Sequence, residues 1–281
     1  MSFPLFREAV DKLESLGYYD FCLTGGEPLA HSRCFDFIRY LKMKSLYVSL
    51  PTNGALLTEK NVRKLKESRI DSVSVSVDSL DPEVAGKVRN YKNQLEKAID
   101  GLRLLRKYGI TFSVLIIVAK HNIREFPRMV KILDQLYDAP SILCFPDSGV
   151  GPIEGIQFSK SELVSLVDRL LELKNEGYRL QNTREYLHEL KRVYLGEARR
   201  VFCYGGYYVI NVYWDGIVRP CFNRKPVGHI ASIDAPIKKP CASCLNQCFV
   251  EFSYISDQLA RKRYLSALIE RWPVVKTYFG S

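Results

Sequence analysis

Five short apolar runs recur along the first half of this chain, starting near residues 18, 46, 72, 111 and 141, with helix-length stretches between them. "PLFREAVDKLESLG" has the spacing of an amphipathic helix closed by Gly17, "YYDFCL" reads as a strand, and the next helix is expected over 33–43. "LYVSL" is a further strand, and Thr58 has the place of an N-cap before "EKNVRKLKES". "DSVSVSVDS" alternates Val and Ser with the period of a strand. A long helix is expected over 91–108, ending at Gly109; the strand "TFSVLIIVA", the helix "REFPRMVKILDQLY" and the strand "SILCFPD" follow. Strands joined by helices of this length are βα units, and right-handed crossovers assemble them into a parallel sheet. The fold class is therefore α/β. Because the first element is a helix, the series reads as opening part-way through a unit.

In parallel sheets, ligands collect beyond the carboxyl ends of the strands. Those ends here carry "TGGEP", "PTNG", "SVDS", "AKHN" and "FPDSG". Each alone is an ordinary βα turn, but five on one rim point to a binding cleft. Gly25 and Gly26 let a ligand approach the backbone closely, Pro28 stiffens the exit, and Glu27 offers a fixed negative charge suited to an ammonium group or a cation.

Two more helical stretches occupy 159–195, after which the character changes. "CYGGYYVINVYWDGIVRPC" reads as two alternating aromatic strands joined at Asp215-Gly216, a hairpin turn signal. A boundary is expected there, dividing the chain into residues 1–198 and 199–281. Five of the eight cysteines fall in this last third, at 203, 221, 241, 244 and 248. No secretory signal is visible, so a metal site is favoured over a disulfide framework. The hairpin brings Cys203 and Cys221 together, and Cys241, Cys244 and Cys248 are closely spaced. Thiolates at such spacing suit zinc or an iron–sulfur cluster, and five exceed the four that one site needs. Cys22, Cys34 and Cys144 lie in apolar surroundings and read as core.

A hydrophobic share of 47% is that of a globular protein, and the longest apolar run, around "VLIIVA", is strand-sized rather than membrane-spanning. The opening "MSFPLFREAVDKLE" has no apolar signal region, so a cytoplasmic location is expected. The net charge of +10 comes without an arginine-rich stripe or a nucleic-acid signature, and reads as a solvated basic surface.

"LTGGEP", "PTNG" and "SVSVDS", following successive strands, resemble the radical S-adenosylmethionine (radical SAM) enzymes. The tail, with Cys203, twelve residues, Gly216, four residues and Cys221, then "VGHI" and "CASCLNQC", resembles the SPASM/twitch extensions of that superfamily. The resemblance implies a partial (β/α)6 TIM-like barrel, here missing its first strand, followed by a small cysteine-rich β-hairpin/helix domain. It implies a [4Fe-4S] cluster held by CxxxCxxC after the first strand, which reduces S-adenosylmethionine to a radical that abstracts hydrogen from substrate. By similarity, Gly25, Gly26, Glu27 and Pro28 would hold the methionine amino group. Thr52, Asn53, Ser76 and Asp78 would lie near the cofactor, Ser76 and Asp78 toward its ribose or carboxylate, and Phe145 near adenine. Cys203, Cys221, Cys241, Cys244 and Cys248 would supply the ligands of an auxiliary [4Fe-4S] cluster. An electron donor such as ferredoxin or flavodoxin is implied; the substrate, peptide or small molecule, is not.

One departure stands out: no CxxxCxxC occurs in the 281 residues. The expectation is either a start downstream of the true one or a loss of the chemistry. Three readings follow: a radical SAM enzyme active as a longer chain, a non-catalytic iron–sulfur relative acting as accessory or carrier, and a zinc-stabilised βα ligand-binding protein. Without a preceding strand, the run at 18–23 is expected to form an exposed sheet edge, a liability for stability and aggregation.

Overall fold

A computed structural model describes residues 1–144 and 158–260 of the chain. Its main sheet is parallel, with strands β1 (Asp20–Cys22), β2 (Tyr47–Thr52), β3 (Ser72–Ser76), β4 (Phe112–Ile117) and β5 (Ser141–Cys144) hydrogen-bonded in chain order. Helices α1 (Phe3–Ser15), α2 (Cys34–Met43), α3 (Glu59–Glu67), α4 (Pro82–Val88), α5 (Gln94–Lys107) and α6 (Phe126–Tyr137) alternate with them. Strands laid down in order, with same-handed crossovers, place the helices on one face and let the sheet curl into an arc.

Side-chain alternation decides which face turns outward. Val48 and Leu50 of β2, Val73 and Val75 of β3, and Val114 and Ile116 of β4 are fully buried under the helices. Burying one such side chain is worth about 1.5–3 kcal/mol, so a one-residue slip of register would be strongly opposed. The intervening residues, including Cys22, Ser49, Ser72, Ser74 and Ser113, lie on the concave face, where the Ser74 and Ser113 hydroxyls meet at 3.1 Å.

Local chemistry fixes the helix ends. The Ser2 hydroxyl accepts from the Leu5 N–H at the start of α1, and Thr58 caps α3 through the Asn61 N–H, as expected. Phe6 of α1 stacks on Phe37 of α2 with ring centroids 4.1 Å apart, joining the first two helices. The helix expected over 91–108 begins at Gln94, because Asn93 takes a left-handed conformation, φ 61°, just before it. The short helix α4 was not anticipated. Its signal was the Asp81-Pro82 pair: the Asp81 carboxylate accepts from the Glu83 and Val84 N–H groups, and Pro82 occupies the first turn.

Two of the three cysteines read as core need comment. Cys34 is buried, as expected, whereas Cys22 is open to solvent. The register sets it opposite Ser49 on the concave face rather than under the helices, and β1 is an edge strand that pairs only with β2 among the described residues. The exposed edge expected at 18–23 is thus present, with Tyr19 61% exposed beside it.

Beyond the sheet, α7 (Lys160–Asn175) and α8 (Arg184–Tyr194) pack together, α7 starting from a Ser159/Glu162 capping box. The tail forms a three-stranded antiparallel sheet of β6 (Asn211–Val212), β7 (Ile217–Arg219) and β8 (Gly228–His229), followed by α9 (Gln247–Ala260). The hairpin turns at Asp215-Gly216 as the sequence indicated, with shorter strands than its aromatic alternation suggested. Gly216 (φ +83°) is obligatory, since a Cβ there would lie 2.2 Å from His229 Nε2.

The tail is packed on the arc from both sides. Ala9 and Leu13 of α1 bury against Val218, Ile230 and Ile233, and the Tyr18 hydroxyl donates to the Gly206 carbonyl at 3.1 Å. Cys203, Cys221, Leu245, Phe249 and Val250 belong to the same apolar core as the sheet. No helix among the described residues is long and apolar enough to cross a membrane.

Candidate functional site

At the carboxyl end of β1 the chain enters the exposed turn of Gly25 and Gly26. Gly25 has a φ of +153°, a conformation that favours glycine, whereas Gly26 has no positive φ. A Cβ on either would meet no protein atom within 4 Å. Protein packing therefore does not demand glycine at 26; the bare backbone leaves room at the rim for something that is not this chain.

Glu27 is held in one orientation by three donors. Its Oε1 accepts from the Thr52 hydroxyl at 2.8 Å and the Leu29 N–H at 3.2 Å, and its Oε2 accepts from the Asn53 N–H at 2.8 Å. The loop after β1 and the end of β2 are thereby locked together around a carboxylate. Gly54, the last residue of "PTNG", sits against α5: with φ +85°, an added Cβ would fall 2.8 Å from Ala98 Cα. Gly54→Ala is expected to cost about 2–4 kcal/mol, combining a strained left-handed residue with overpacking against backbone. Chemical denaturation checks it, and a loss below about 1 kcal/mol would contradict this account of the loop.

The neighbouring strand ends are fastened by two buried amides: Gln94, which sequence reasoning missed, and Asn122, the last residue of the "AKHN" turn. The Gln94 side chain, fully buried, donates to the carbonyls of Asn53 at 3.1 Å and Ser76 at 2.9 Å, joining the ends of β2 and β3. Asn122, equally buried, donates to the carbonyls of Asp78 at 2.8 Å and Ile117 at 2.9 Å, joining β3 to β4. Ser76 is 4% exposed and Asp78 1%. Asp78 pairs with Arg89 Nε at 2.5 Å and accepts from the Ile117 N–H at 2.9 Å, so both its oxygens are engaged by the protein. Thr52, Asn53, Glu27, Ser76 and Asp78 thus converge on one rim. Phe145 lies outside the described residues.

The tail cysteines divide. Cys203 and Cys241 are paired through their backbones, with N–H to carbonyl distances of 2.9 and 2.8 Å. Burial pushes the Cys203 thiol above its ordinary value; the Gly205 N–H opposes this, and the neighbouring Cys241 and Cys221 add to it. These three therefore share one neighbourhood. Gly205 is closely packed there, since a Cβ would lie 2.9 Å from the Pro220 carbonyl oxygen and 3.5 Å from Cys203 Sγ. Burial also pushes the Cys241 thiol up, but the Ser243 hydroxyl and backbone, together with the charges of Arg224 and Arg199, outweigh it and leave the group below its usual value.

Cys248 lies near enough to Cys22 to act on its thiol electrostatically. Burial drives the Cys22 thiol up to about 12, against a hydrogen bond from Ser49 and with Asp20 and Cys248 reinforcing it. High exposure and this upward shift agree if the thiol is ringed by protein on the inside of the arc. Among the described residues, no three His, Cys, Asp or Glu side chains converge closely enough for a single metal ion. The paired backbones of Cys203 and Cys241 and the electrostatic coupling of the Cys203, Cys221 and Cys241 thiols are what a shared thiolate-ligated group would need.

The family profile of the radical SAM superfamily matches residues 1–133. That segment, a little under half of the chain, is similar to radical SAM domains. A stretch of 130 residues is 32% identical to the AdoMet-dependent heme synthase of Methanosarcina barkeri (strain Fusaro / DSM 804), covering 46% of this chain and 37% of that protein. A second relative is the PqqA peptide cyclase of Xanthomonas oryzae pv. oryzae (strain MAFF 311018), 24% identical over 127 residues, 45% of this chain and 34% of its own. The match thus spans little more than a third of each curated relative's length. The likeness of fold extends further: native anSMEcpe with bound AdoMet superposes with a TM-score of 0.62 at 21% identity, over 83% of this chain and 70% of that one. Streptococcus suis SuiB gives 0.67 at 12% identity, over 82% and 57%. The radical SAM partial barrel and the five-stranded parallel arc are the same architecture.

Proposed function

We propose that this chain acts as a radical SAM protein that binds S-adenosylmethionine on the strand-end rim and an auxiliary [4Fe-4S] cluster in its tail. The observation that carries the first half is Glu27, a carboxylate immobilised beside two glycines with open space over them. The site residues have distinct tasks. Gly25, Gly26 and Pro28 shape the cradle, Glu27 meets the methionine ammonium, and Thr52 and Asn53 aim Glu27. Ser76 and Asp78 stand behind the ribose or carboxylate, Asp78 acting through its hold on Arg89 and on the end of β4. Residues 1–198 form the barrel unit and residues 199–281 the cluster-bearing unit, with ligands drawn from Cys203, Cys221, Cys241, Cys244 and Cys248. When bound, the two groups supply one-electron and radical chemistry.

No residue of this chain is assigned to the reducing cluster, because the sequence contains no CxxxCxxC, and no step is derived through it. A peptide substrate is favoured over a small molecule: a relative is named a PqqA peptide cyclase, and SuiB has been solved bound to the precursor peptide SuiA. An electron donor of the ferredoxin or flavodoxin kind and a cytoplasmic setting complete the proposal.

The test is equilibrium binding of S-adenosylmethionine to the wild type and to Glu27→Gln. An ionised acceptor for an ammonium donor is worth about 1.5–3 kcal/mol, so affinity is expected to drop roughly 10- to 100-fold while the fold survives. Undetectable binding by the wild type, or equal binding by both, would defeat the assignment.

A further inference from the structure

We propose that Arg199 and Arg224 donate hydrogen bonds to the sulfurs of the tail cluster and hold its reduction potential up. This rests on the reading that the tail binds such a cluster. Arg199 reaches into the Cys241–Cys244 loop: its Nε donates to the Val201 carbonyl at 2.6 Å, and its Nη1 to the carbonyls of Ala242 at 2.9 Å and Cys244 at 2.5 Å. Its Nη2 is buried and has no hydrogen-bond partner among the described residues. Arg224, in the loop between β7 and β8, likewise buries an Nη1 without a partner.

Buried donors are nearly always met, and a guanidinium cannot shed its proton to escape the cost. Neither arginine forms an ion pair with a carboxylate among the described residues, and the tail's Asp234 and the preceding Glu197 are taken by Lys12 and Arg192. Both act electrostatically on the same thiol, Cys241. Two buried, unmet cationic donors beside the cysteine-bearing loop call for an acceptor that is anionic and bulky, and the thiols around it make that acceptor rich in sulfur. A thiolate-ligated iron–sulfur cluster has those properties, and hydrogen bonds to its sulfurs together with nearby positive charge favour the reduced state. Arg199 also fixes the loop that carries two of the ligands, so it is a positioning residue as well as a donor.

The experiment is an EPR-monitored redox titration of the anaerobically reconstituted chain, with iron and sulfide counted first. Arg199→Gln, Arg199→Lys and Arg224→Gln are compared with the wild type. Loaded Arg224→Gln and Arg199→Gln are expected to titrate at more negative potential than the wild type, with Arg199→Lys between. If Arg199→Gln takes up no iron, Arg224→Gln, which leaves the loop clamp intact, gives the decisive reading. Variants that load fully and titrate at the wild-type potential overturn the role of the arginines while leaving the cluster in place. A wild type that binds no iron and sulfide overturns the cluster itself, and this inference with it.

Discussion

Glu251→Ala is expected to lower the stability of the folded chain by about 3–5 kcal/mol, a fall in Tm of roughly 6–20 °C. Glu251 sits on α9 with no solvent exposure, and its carboxylate is the centre of a buried network. It accepts from the Thr183 N–H, from Asn182 Nδ2 at 3.3 Å and from Gln247 Nε2 at 2.7 Å. Asn182 in turn exchanges hydrogen bonds with the Leu143 N–H and carbonyl, at 2.9 and 3.0 Å, on β5. Alanine would leave several buried donors unmet, each worth about 1–3 kcal/mol, and a void between tail and arc. Glu251→Gln keeps the shape and should lose less. Urea denaturation decides the matter, and a loss below 1 kcal/mol for alanine would mean that the network does not couple tail to arc.

The second large effect is expected at Asp78. Removing it in Asp78→Ala strands Arg89, whose Nη2 already has no partner among the described residues, and frees the Ile117 N–H at the end of β4. Breaking a buried pair from one side costs about 3–5 kcal/mol. Adding Arg89→Met removes the uncompensated cation, so the double variant should be more stable than Asp78→Ala alone. Strict additivity of the two changes would show that the pair is not coupled. The single variant should also bind S-adenosylmethionine more weakly, because the end of β3 and the α4–α5 connection lose their common anchor.

The alternation of Val and Ser in "DSVSVSVDS" and the five strand-end turns made the sheet legible, since burial on one face leaves few alternatives for such a pattern. Boundaries were less so. The long helix expected over 91–108 begins at Gln94, because Asn93 adopts a left-handed turn that no periodicity encodes. Cys22 belongs to a strand that is apolar in sequence yet lies at the sheet's edge, and edge position is a property of topology rather than of the residue. For the candidate site, Glu27 and the glycines could be picked out because a short motif carries them. Gln94 and Arg89 could not: each acts from a helix end on carbonyl or carboxylate groups of strand ends, Gln94 across 41 and 18 residues and Arg89 across 11, and a lone amide or arginine there has no local signature. The same holds for Arg199, whose meaning comes only from the carbonyls it reaches across 43 and 45 residues of chain.

The tail grips the arc at both flanks, through α1 near its first strand and through Glu251 and Asn182 near its last. It works as a tie-rod across a bow: spreading the two ends would require prising it loose. Entry of a bulky molecule into the concavity must then come over the rim rather than by splaying the strands, and whatever loosens the tail should slacken the grip on the cofactor at a distance.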